Sequence, residues 1–145
     1  MLSMDYDKLL LGGIGILTTL IGGWDLTLQV LLILMATDVV TGVIKGLYKW
    51  DFTSRAFRQG LMSKAGFLIV IILCYQVDTL LGNAEPIIRT TCAIFYITIE
   101  GSSIIENLGE MGVPIPKALT KRLAKLKDMS DEENEESDQK GKIER

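Results

Sequence analysis

Asp38 stands inside the apolar run Leu26 to Val43, and Thr41, Gly42 and Lys45 follow it at three, four and seven residues. On an α-helix that spacing puts all four on one face, opposite a stripe holding Val39, Val43 and Leu47. A second set repeats the pattern in Glu100, Ser103 and Asn107, with Thr90 and Thr91 towards the other end of the same run. A charge held at the centre of a bilayer costs roughly 2.5 kcal/mol or more, so such groups turn towards another helix or a water path. The chemistry open to them is pairing, hydrogen bonding and contact with water, not bond making. Two arrangements satisfy that requirement. The polar faces line water once several copies assemble, or they bond to one another inside a dry bundle.

The chain lacks the groups that catalysis would need. It has no histidine, which removes imidazole acid–base chemistry and His-bearing metal sites. Cys74 and Cys92 sit in separate apolar runs without C-x-x-C spacing and read as small buried side chains. Ser102-Ser103 has no neighbouring base, and no glycine loop with a Lys-Ser/Thr pair precedes a helix. The expectation is a non-enzyme with no catalytic residue, no metal and no cofactor.

The elements that must position these residues follow from hydropathy. Apolar residues form 48% of 145 and mean hydropathy is +0.32, yet the last eighteen residues are almost entirely polar. A spanning helix needs about 20 apolar residues. Runs at 9–23, 26–47, 61–81 and 87–108 approach that length, the first falling short unless Tyr6, Lys8 and Trp24 reach the interfaces. The expected fold is therefore an all-α integral membrane protein with about four transmembrane helices in residues 1–110. Lys45, Lys49, Arg55, Arg58 and Lys64 crowd the connection between the second and third runs, and Lys117, Lys121, Arg122, Lys125 and Lys127 follow the fourth. The two short connections carry no Lys or Arg. The positive-inside rule then puts both basic segments and both termini in the cytoplasm.

Small residues recur four apart in Gly15, Thr19 and Gly23, and again in Asp38, Gly42 and Gly46. They open grooves for close helix packing, within one subunit or between two. Pro114 and Pro116 end the fourth helix. Within residues 111–127, Leu119, Leu123 and Leu126 then oppose Lys121, Arg122 and Lys125 in a cytoplasmic amphipathic helix. With Lys117, those bases suit an anionic membrane surface or a neighbouring subunit. Residues 128–145 hold eight acids against three bases, an acidic tail expected to be disordered.

Asp38-Val39-Val40-Thr41-Gly42, then Ser54, Gly60 and Lys64, then Glu100-Gly101-Ser102-Ser103-Ile104-Ile105-Glu106-Asn107 leading to Gly112-Val113-Pro114-Ile115-Pro116, resemble the toxin-secretion/phage-lysis holin family over about residues 26 to 120. That resemblance implies a small protein of the bacterial cytoplasmic membrane that oligomerises with itself. Its lesions would release a cell-wall hydrolase or a large toxin, with anionic lipids as its surroundings and no nucleic-acid partner. The competing expectations are a small four-span proton-coupled transporter, an antiholin and a membrane adaptor. A transporter of that kind would carry its carboxylate in the first span and would not need the Pro-Ile-Pro exit.

Overall fold

The computed structural model describes residues 3–126, with side chains from residue 12 onwards. Among them are five helices and no strand: α1 Ser3–Leu20, α2 Leu26–Tyr48, α3 Ser54–Leu81, α4 Ile87–Glu110 and α5, residues 117–126. The acidic tail expected at 128–145 lies outside the described residues.

Helices α2 and α4 form the central pair, α3 packs along α4, and α1 touches the bundle through α3. The apolar core is small: Ile21, Leu28, Leu31, Met35, Ile71 and Ala93. Leu28, Leu31 and Met35 supply one stripe of α2 at helical spacing. Around this core the usual distribution is inverted. Arg89 and Glu100 are each only 2% exposed, whereas Met62 is 76% and Leu80 85% exposed. Water-soluble proteins almost never bury such charges while displaying such apolar surface. A lipid-facing exterior reverses the preference, because apolar side chains outside then cost nothing and polar groups must find partners within.

Helices α2 and α3 are long and apolar enough to cross a membrane, with windows of mean hydropathy 2.0 and 1.8. Among the described residues α1 and α4 do not pass the same test. The first 18-residue helix includes Asp5, Asp7 and Lys8, and α4 carries Arg89, Glu100, Glu106 and Glu110.

Each of the first four helices closes its own C-terminus. Gly23 N–H reaches Thr18 O at 2.8 Å, Asp51 reaches Gly46 at 3.0 Å, Asn83 reaches Asp78 at 3.1 Å and Val113 reaches Leu108 at 3.0 Å. These are Schellman closures, which satisfy carbonyls that the helix leaves without partners. They demand one left-handed residue each. Gly22, Gly82 and Gly112 supply it at φ of 84°, 70° and 80°, while α2 uses Trp50 at φ 55°. An L side chain there costs about 1–2 kcal/mol.

At its start α2 is capped by Asp25, whose carboxylate accepts Leu28 N–H at 2.9 Å. The helix α3 begins at Ser54, so Lys64 lies inside it and not in the basic connection where the sequence suggested. After Pro114 and Pro116, α5 turns back on α4. A methyl group on Gly101 would come within 3.0 Å of Leu123, so that leucine rests on the bare backbone of α4.

Candidate functional site

The polar faces of α2 and α4 meet, and α3 supplies the charge between them. Lys64 Nζ donates to Asp38 Oδ2 at 3.0 Å and pairs with Glu100 Oε2. Asn107 donates to the other Asp38 oxygen at 3.1 Å and to Thr41 Oγ at 3.3 Å, and the Thr41 hydroxyl donates to Asp38 O at 3.1 Å. Both carboxylates stand in helix interiors, where backbone N–H groups are already committed to carbonyls one turn back. Their partners are therefore side chains. Two carboxylates share one ammonium, leaving a formal excess of one negative charge when all three are ionised.

Next to this network lies a cavity of about 380 Å³, bounded by α2, α3, α4 and residues 51–53; Asp38, Lys64, Asn107 and Ser103 line it. Glycines make the room. A side chain at Gly46 would press on Phe52 at 3.2 Å, and one at Gly42 would meet the Asn107 amide at 3.8 Å. The network thus borders a void large enough for several waters.

A second ionic cluster ties the other end of the bundle. Arg89 donates to Ile21 O at 2.8 Å and Gly22 O at 3.2 Å and pairs with Asp25. Asp78 accepts the backbone N–H groups of Arg89 at 2.8 Å and Ile88 at 3.1 Å, and the Asn83 amide at 2.7 Å. This cluster connects the C-terminus of α1, the N-termini of α2 and α4, and the last turn of α3. Sequence reasoning missed Asp78 and Arg89, and put Lys64 in the basic connection and not beside the two carboxylates. The signal available was that a buried carboxylate needs a cationic partner, which would have drawn attention to every base within an apolar run.

Asp38, Thr41 and Asn107 bond to one another, Lys64 joins them to Glu100, and Ser103 lines the adjacent cavity. Lys45 does not join; it lines the cavity mouth and lies 3.5 Å from Glu110, which also pairs with Lys49. The Lys49 hydrogen bond, with Lys45 nearby, holds the exposed Glu110 carboxyl below the ordinary range. Gly42 and Gly46 serve packing within the chain, against Asn107 and Phe52. Among the described residues, side chains added at Gly15 or Gly23 would meet nothing within 4 Å; Thr19 bonds to its own helix at Gly15 O, 2.9 Å, and Gly23 lies past the end of α1, so it does not continue their face. Lys117, Lys121, Arg122 and Lys125 are exposed on α5. Cys74 and Cys92, read from sequence as unrelated, are free thiols in mutual contact, Sγ to Sγ 2.8 Å.

The chain is similar to known proteins over most of its length. An uncharacterized 14.9 kDa protein encoded in the nagH 3′ region of Clostridium perfringens is 39% identical over 109 residues, 75% of this chain and 83% of that protein. A probable holin of Bacillus phage phi105 is 34% identical over 112 residues, covering 77% and 82% of the two chains. YqxH of Bacillus subtilis is 35% identical over 111 residues, covering 77% and 79%. No solved structure matches. The bacteriophage holin family matches residues 15–128, a range that contains the Asp38–Lys64–Glu100 network, the Arg89 cluster and all of α5. With two apolar helices of spanning length around a buried polar interior, the chain is a membrane protein and belongs to the bacteriophage holin family.

Proposed function

We propose that this holin-family chain accumulates in the bacterial cytoplasmic membrane as four spans with both termini inside, and then assembles with copies of itself into lesions. The lesions release a cell-wall hydrolase or a large toxin and so cause or time lysis; the chain itself catalyses no reaction. One observation carries this reading: the Asp38–Lys64–Glu100 network, with Glu100 buried and Asp38 and Lys64 partly buried, is held by side chains alone and borders a cavity. Such a network can exchange its internal partners for water or for a neighbouring copy when subunits gather. The exposed Gly15 and Thr19 side of α1 gives a neighbour somewhere to approach, and the bases of α5 suit anionic headgroups.

A change of this kind needs two packings separated by only a few kcal/mol. Membrane potential is strong enough to bias it, because moving one charge through the field is worth about 2.3 kcal/mol per 100 mV. The test is induction in a bacterial host, with and without a cell-wall hydrolase lacking its own export signal, following culture density and membrane potential together. Sudden depolarisation followed by hydrolase-dependent lysis is expected. Continued growth with the potential intact, despite good membrane accumulation, would overturn the proposal in favour of a transporter, an antiholin or an adaptor.

A further inference from the structure

Helices α3 and α4 face each other along an antiparallel series of side-chain contacts. Asp78 accepts the Arg89 N–H at one end, Lys64 pairs with Glu100 at the other, and between them the rings of Phe67 and Tyr96 stack with centroids 4.2 Å apart. Cys74 and Cys92 make another contact in this series. Cys74 lies four residues before Asp78 and seven after Phe67, while Cys92 lies three after Arg89 and four before Tyr96. The two thiols are therefore held in register from both sides. Their sulfurs are 2.8 Å apart, about 0.8 Å beyond the length of a disulfide bond. No other cysteine exists in the chain.

We propose that Cys74 and Cys92 form a two-electron dithiol site, converted to an intrachain disulfide joining α3 to α4 by a membrane-permeant oxidant of the quinone or azo class. Both S–H bonds break and one S–S bond forms. The two electrons and two protons leave with the oxidant, a quinone departing as the quinol or an azo compound as the hydrazine. Membrane permeability is required because Cys74 is buried and Cys92 is half-buried between apolar helices. The bond would fasten the two helices that share the Lys64–Glu100 pair, about two to three helical turns away from that pair, without using any of its groups.

The test uses the full chain in washed membranes treated with the azo oxidant diamide. Remaining thiols are blocked with N-ethylmaleimide, disulfides are then reduced, and the thiols released are counted by the gel shift of a polyethylene-glycol maleimide. Wild type should go from no adduct before oxidation to two per chain after it, and should run as a monomer on a non-reducing gel. Cys74→Ser and Cys92→Ser each keep one thiol and should give no adduct on the monomer. Two free thiols surviving saturating diamide would overturn the proposal. So would a disulfide found only in paired chains, or single-cysteine variants labelled as strongly as wild type, which would mean mixed disulfides with small thiols.

Discussion

The two ionic clusters, each with a buried core in Arg89 and Asp78 or in Glu100, have the same formal composition, two carboxylates and one base, but they are built differently. Around Arg89 the acids face helix starts: Asp25 caps α2, and Asp78, from the last turn of α3, takes N–H groups of the first turn of α4. Those N–H groups are unused within their helices and lie at the positive end of the helix dipole, so backbone as well as arginine balances the charge. Around Lys64 the acids sit mid-helix and depend on Lys64 and Asn107, whose amide Thr41 also accepts. Backbone donors cannot be withdrawn without unwinding a helix. Side-chain donors can rotate away. The comparison makes the Arg89 cluster the frame of the bundle and the Lys64 network the part free to rearrange.

The largest expected difference comes from removing charge while keeping shape. Asp25→Asn, Asp78→Asn and Arg89→Met together should abolish accumulation of the chain in membranes, because carbonyls of Ile21 and Gly22 and N–H groups of α4 lose matched partners. Asp38→Asn, Lys64→Met and Glu100→Gln together should accumulate as wild type but fail to depolarise cells. Immunoblots of membranes beside a potential-sensitive dye would read both, and equal behaviour of the two triples would break the comparison. Single changes come next. Arg89→Leu leaves the Asp25 carboxylate and the Ile21 and Gly22 carbonyls without their guanidinium donor and should cost about 3 kcal/mol, roughly 1 for each acceptor left unmatched, read as lost heat resistance of helicity in detergent. Lys64→Met should cost a similar amount, since the cavity lets water reach the orphaned Asp38 but not Glu100, which is 2% exposed and off the cavity wall.

Smaller effects sharpen the contrast. Gly22→Ala forces a side chain into a left-handed turn and against the Tyr75 ring beside the Arg89 cluster, an expected loss of about 1–3 kcal/mol. Gly15→Ala, in open space on α1, should leave the monomer unchanged. The smallest effect belongs to Glu110, exposed at the far end of α4. Its depressed folded-state carboxyl supports the native state above the ordinary glutamate range, and that support fades as pH falls through the lowered value. Glu110→Gln should therefore flatten acid-side stability only slightly in a pH series of melts.

Much of the inner site was legible because helical spacing is local. Asp38, Thr41, Glu100 and Asn107 could each be put on a polar face from sequence, as could the alternation of α5. Lys64 was not, because the strongest apolar stretch of α3 is Phe67 to Leu73 and a lysine just before it looks like part of the preceding basic connection. Asp78 and Arg89 lie near the ends of apolar runs, where charges ordinarily meet water, and only the turn between α3 and α4 brings them together. The Cys74–Cys92 contact is tertiary in the same way. The return of α5 onto Gly101 depends on how the chain leaves Pro116, which periodicity does not encode.

Because each helix from α1 to α4 folds its last carbonyls back onto its own chain, the backbone asks little of its neighbours at the ends of α2, α3 and α4, while the end of α1 also takes donors from Gln76 and Arg89. The helices behave as sealed rods. When rods of this kind part, slide or admit another copy between them, what must be remade is side-chain contact, not main-chain hydrogen bonding. A wall built from such units tolerates many spacings and curvatures, which suits an opening whose width is set by how many copies have gathered instead of by a fixed blueprint.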